Sequence, residues 1–66
     1  MKTYLIFWNE PHATINEYKA DSKREALKMY NAEHGTNYKI KKDGLLWIVE
    51  KSAWYHYNFR KISYAA

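Results

Sequence analysis

Hydrophobic positions recur along this chain with two different periods. Residues 3–8, Thr-Tyr-Leu-Ile-Phe-Trp, are an almost unbroken apolar run of β-prone side chains. The run is too short for an amphipathic helix ahead of Pro11, so it predicts a strand. Residues 9–13, Asn-Glu-Pro-His-Ala, supply a turn in which Pro11 fixes one backbone angle. Residues 14–20 alternate Ile15, Glu17 and Lys19 against Asn16, Tyr18 and Ala20. That period of two predicts a second strand, antiparallel to the first.

The period lengthens between residues 21 and 35. Ser22 and Glu25 match a capping box, in which side chains satisfy the free N–H groups of a first helical turn. Gly35 suits the left-handed position just past a helix end, and His34 sits where the helix dipole favours positive charge. Ala26, Leu27 and Tyr30, with Met29 or the stem of Glu33, form an inward stripe. Lys23, Arg24, Lys28 and Asn31 face water in this reading.

Residues 36–42 and 45–51 flank Asp43-Gly44, a strong signal for a two-residue hairpin between β-prone runs. Such a hairpin pairs Lys42 with Leu45, Ile40 with Trp47 and Tyr38 with Val49. It puts Tyr38, Ile40, Leu45, Trp47 and Val49 on the inner face, and Lys39, Lys41, Leu46, Ile48 and Glu50 on the outer one. The segment Ser-Ala-Trp-Tyr-His-Tyr-Asn-Phe-Arg-Lys-Ile, 52–62, predicts a last strand. A turn of odd length around Lys51–Ala53 turns Tyr55, Tyr57 and Phe59 inward. The even alternative buries His56, Asn58 and Arg60, which costs more. Trp54, His56, Asn58 and Arg60 then join the outer face.

These elements predict one α+β domain over residues 1–66. It is an antiparallel sheet of four to five strands with one helix on one face, in the order β-β-α-β-β-β. One helix covers one face only. The other face shows Lys39, Lys41, Ile48, Trp54, His56, Asn58 and Arg60, an apolar and basic surface of the kind that marks an interaction site. A homodimer through that face is one way to cover it.

Charge sharpens this picture. The formal net charge is +4, and residues 1–22 contribute −1 while residues 23–66 contribute +5. The C-terminal part therefore favours an acidic or phosphate-bearing partner. The chain has no cysteine, which excludes disulfides and thiolate metal sites. The apolar run near the N-terminus is too short for a signal-peptide core or a membrane span, and a cytoplasmic location is expected.

Candidate chemistry is sparse. His12, His34 and His56 have no metal-ligand spacing, and no serine lies in a nucleophile-elbow context. Two glycines make no phosphate loop. Glu10 and His12 form a possible acid–base couple, but one such pair in a turn is ordinarily just polar. No enzyme and no cofactor are expected. Binding is better supported, since Trp, Tyr and Arg carry interface energy. Trp54 and His56 could also stack on bases while Lys39, Lys41 and Arg60 hold phosphates.

Ala20, Ser22, Glu25, Ala26 and Leu27 fit an A-x-[ST]-x-x-E-A-L pattern running from strand into helix. With the strand–strand–helix order, this resembles small phage-encoded host-takeover proteins of two kinds. One is a small inhibitor of bacterial RNA polymerase, whose working surface is acidic where this chain is basic. The other is the class of anti-CRISPR proteins with one helix on an antiparallel sheet. The resemblance covers about a quarter of the chain and implies a protein that acts by occupying a partner's surface. The expected function is thus non-enzymatic inhibition or modulation of a nucleic-acid-handling protein complex. Direct binding of single-stranded or nonspecific nucleic acid is the alternative, and a structural homodimer is a third.

Overall fold

The computed structural model describes residues 1–55 and 62–66. Strand β1 (Lys2–Trp8) explains the fold's layering. Tyr4, Leu5, Ile6 and Phe7 are all buried, so both faces of β1 are covered. A continuous apolar run suits such a central strand. It pairs antiparallel with β2 (Asn16–Ala20) on one side and with β4 (Leu46–Glu50) on the other. The five strands run in the order β2-β1-β4-β5-β3, with β3 at Ile40–Lys41 and β5 at Ser63–Ala65. Every pairing is antiparallel.

The main helix, α1 (Lys23–His34), lies across one face of this sheet. Its ends follow the sequence signals. Ser22 Oγ accepts the Glu25 N–H at 3.1 Å, while the Glu25 carboxylate reaches back to the Asp21 N–H at 3.4 Å. The reciprocal arm of the capping box thus falls one residue before the cap. Gly35 has φ 65°, and the N–H groups of Gly35 and Thr36 both point to the Asn31 carbonyl. That closes the helix in a Schellman-type turn. Ala26, Leu27 and Tyr30 pack on Tyr4, Ile6, Tyr18, Ala20, Leu46, Ile48 and Ala65. Lys23 Nζ donates to Ser63 Oγ at 2.9 Å and ties the helix to β5.

The Asp43-Gly44 hairpin does not form. β5 lies between β3 and β4 and pairs with both. Ala65 faces Ile40 on one side and Leu46 on the other; Tyr64 likewise faces Lys41 and Trp47. β3 and β4 therefore run in the same direction, and residues 42–45 cross β5 to join them. Gly44 sits on that crossing. A Cβ there would lie 2.4 Å from the Ala65 carbonyl oxygen, and its φ is not positive, so the glycine serves close backbone approach rather than a primed turn.

This connection also reverses the expected faces of β4. Leu46 and Ile48 are fully buried beneath α1, whereas Val49 and half-buried Trp47 belong to the opposite face. Ile48 is therefore core and not partner-binding surface. Ile40 and Leu45, expected inside, are exposed. All four residues from Leu46 to Val49 are apolar, so alternation alone could not choose a face.

A short second helix, α2 (Lys51–Tyr55), replaces the turn and the start of the expected last strand. It covers part of the second sheet face. Ala53 is buried with Leu5, Phe7 and Val49, and the Trp54 ring meets Phe7 edge-on at 5.3 Å. Leaving that face bare would expose a contiguous apolar patch, so the chain folds back over it. Turn parity consequently has no meaning at Lys51–Ala53, and Tyr55 ends α2 rather than lying in a strand. His56, Tyr57, Asn58, Phe59 and Arg60 lie outside the described residues.

Candidate anion-binding cleft

The expected partner-binding residues that lie among the described ones do not share one face. Lys39 and Lys41 are exposed at the β3 edge, Ile48 is in the core, and half-buried Trp54 packs on the second face. His56, Asn58 and Arg60 fall outside the described residues. What Lys39 does meet is α1.

Arg24, Leu27, Lys28 and Asn31 occupy one stripe of α1 at helical spacing. Opposite them run Tyr38, Lys39 and Ile40, and the two rows enclose an open cleft of about 380 Å³. Asn31 fixes the second row. Its Oδ1 accepts the Tyr38 N–H at 3.1 Å and the Thr36 hydroxyl at 2.8 Å, and its Nδ2 donates to the Tyr38 carbonyl at 2.9 Å. The amide thus pairs with Tyr38 as a neighbouring strand would, and satisfies backbone groups that the turn leaves open. The Tyr38 ring packs edge-on against Trp8 at 5.4 Å and lies 6.3 Å from Tyr30. Lys39 is held beside Arg24 and Lys28 by this anchoring.

No carboxylate lines the cleft among the described residues. The ion pairs Lys51–Glu17, at 2.7 Å, and Lys2–Glu50, at 3.9 Å, involve other residues. Like charges at i,i+4, such as Arg24 and Lys28, disfavour a helix by about 0.2–0.5 kcal/mol. The cleft lining thus combines three cationic side chains, Arg24, Lys28 and Lys39.

A second hollow lies beyond the other end of α1, lined by Trp8, Glu10, His12, Asn16, Tyr30 and His34. His12 takes φ 63° at the position after Pro11, and the Ala13 N–H reaches the Glu10 carbonyl at 3.4 Å. His34 stacks on Tyr30 at 4.0 Å and its Nδ1 lies 2.9 Å from the Tyr30 carbonyl. A carbonyl only accepts, so Nδ1 carries the proton. Among the described residues no three His, Asp or Glu side chains group to hold a metal ion. No helix of the described residues is long and apolar enough to cross a membrane.

No protein-family model, curated protein or solved structure matches this chain.

Proposed function

We propose that this is a non-enzymatic binding protein that docks onto an acidic protein surface through the Arg24–Lys28–Lys39 cleft. The observation that carries it is the convergence of three cations on a cleft with no lining carboxylate among the described residues. Ile40, 38 % exposed, adds an aliphatic rim. Arginine beside apolar surface is the composition of a protein contact. Base stacking instead needs exposed rings. The exposed large hydrophobic side chains among the described residues are Met1, Ile15, Met29, Ile40 and Leu45, none of them aromatic. The exposed apolar rim of the cleft is thus aliphatic, which suits a protein contact. The likeness in layout to phage-encoded host-takeover proteins extends the proposal to the kind of partner: a nucleic-acid-handling complex, inhibited or modulated by occupation of its surface.

The test is affinity capture from a bacterial lysate, with and without nuclease, comparing wild type with Arg24→Glu/Lys28→Glu/Lys39→Glu. Proteins retained by wild type should be lost by the triple variant, with affinity for the purified partner falling about a hundredfold. Capture that ends when nuclease is added assigns the cleft to nucleic acid. Equal capture by both proteins removes the cleft from the function.

A further inference from the structure

The sheet has two outer edges, β2 and β3, and they lie at opposite ends of the strand order. β3 has two residues and borders the cleft. β2 has five and pairs only with β1 among the described residues. An open strand edge is a template for another strand. We infer that β2 is the contact of a twofold homodimer, in which two copies of the strand pair antiparallel about Tyr18.

The charge pattern selects both the partner and the register. Glu17 and Lys19 are exposed, and they alternate with Tyr18 and Ala20, which are buried beneath α1. A twofold axis perpendicular to the sheet keeps like faces together, so exposed positions oppose exposed positions. Centring the pairing on residue 17 sets Glu17 against its own copy. Centring it on residue 19 sets Lys19 against its own copy. Centring it on Tyr18 sets Glu17 opposite the second copy's Lys19, and Lys19 opposite the second copy's Glu17. Opposite charges directly across a strand pair stabilise it, and like charges destabilise it. A lysine that would blunt this edge towards other strands therefore specifies one self-complementary register.

The surroundings fit a contact. Ile15, 52 % exposed, immediately precedes β2. Met29, 41 % exposed, stands one helical turn before Glu33, whose carboxylate approaches Tyr18 of β2. Both are exposed apolar side chains on segments that adjoin β2. Glu17 is already held by Lys51 at 2.7 Å, which limits the side-chain freedom lost on pairing. The β3 edge and its cleft remain open in both copies, so the dimer does not depend on what the cleft binds.

Sedimentation velocity over a concentration series tests the inference, with far-UV circular dichroism confirming that each variant is folded. Wild type should dimerise. Glu17→Lys and Lys19→Glu alone should each weaken dimerisation about tenfold or more. The double variant Glu17→Lys/Lys19→Glu should dimerise more tightly than either single variant, short of the wild-type constant because it loses the Lys51–Glu17 pair. A mixture of the two single variants should form heterodimers, because one then carries two lysines and the other two glutamates at the paired positions. A wild-type monomer at every concentration overturns the inference. So does a dimer indifferent to the single substitutions, or one not rescued by the mixture.

Discussion

Tyr18 carries an unbalanced group. Its hydroxyl is buried and has no hydrogen-bond partner of good geometry among the described residues. Burial, and then the nearby Glu33 carboxylate, push its pKa from 10.0 up to about 12. The sign follows from the two states. Below about pH 10 the phenol is protonated whether folded or unfolded, and the full stability is present. Between about 10 and 12 the unfolded chain releases the proton while the folded protein retains it, so stability is lost as pH rises. A shift of this size amounts to roughly 2–3 kcal/mol. Tyr18→Phe keeps the ring and removes the unpaired hydroxyl. At neutral pH it should leave stability unchanged or raise it by up to about 1 kcal/mol. Urea unfolding from neutral to alkaline pH should also show a flatter decline in the variant; an identical decline would place the alkaline sensitivity elsewhere. This residue's face was legible in the sequence, because 14–20 alternates polar and apolar positions. So were Ser22, Glu25 and Gly35, whose partners lie within a few residues. The orphaned hydroxyl was not, since it depends on the packing of α1 over β2.

At the scale of elements, local signals held where partners were near and failed where they were distant. The β1–β2 pair and α1 formed as their periods predicted. Asp43-Gly44 is a local hairpin signal, yet β5 arrives from the far end of the chain and takes the place between β3 and β4. Nothing within 36–51 announces it, and Ser63–Ala65 is too short to show a period. Face assignment in β4 failed for a related reason: a strand apolar on both sides is silent about which side the helix covers. Gly44 separates the two architectures. In a two-residue primed turn, Asn would be accepted at this position. In the observed crossing, any Cβ meets the Ala65 backbone, at 2.4 Å from its oxygen and 3.2 Å from its carbonyl carbon. Gly44→Ala and Gly44→Asn should therefore both destabilise the fold, by about 1–3 kcal/mol. In a domain of this size that lowers the melting temperature by roughly 4–8 °C per kcal/mol, which calorimetry resolves. A tolerated Asn with a disfavoured Ala would indicate a hairpin.

For the whole molecule, one residue of the expected binding set, Lys39, lines the proposed cleft. The positive excess after residue 22 pointed to an anionic partner, and Lys39 does belong to the cleft. Arg24 and Lys28 were read as solvent-facing, because the helical wheel records only their distance from the core. Their common spacing with Asn31 gains meaning once Asn31 anchors Tyr38 and brings Lys39 alongside. Of the expected outer face, Ile48 lies under α1, Lys39 and Lys41 lie at the β3 edge, and Trp54 joins Phe7, Trp47 and Tyr64 in an aromatic cluster on the side that α2 partly covers. The two proposals taken together give a further expectation. A dimer joined at β2 carries one cationic cleft towards each outer end, and a long acidic chain can engage both. Linking two weak contacts raises the affinity of the pair without adding any new contact. Long polyglutamate should therefore bind wild type about tenfold or more tightly than it binds Glu17→Lys, although that substitution adds positive charge. A short acidic peptide, unable to span the clefts, should bind both proteins about equally. Glu17→Lys/Lys19→Glu, with the net charge restored and the dimer regained in part, should bind the long polymer more tightly than Glu17→Lys does. Should Glu17→Lys bind long polyglutamate more tightly than wild type, total charge rather than paired clefts governs the interaction.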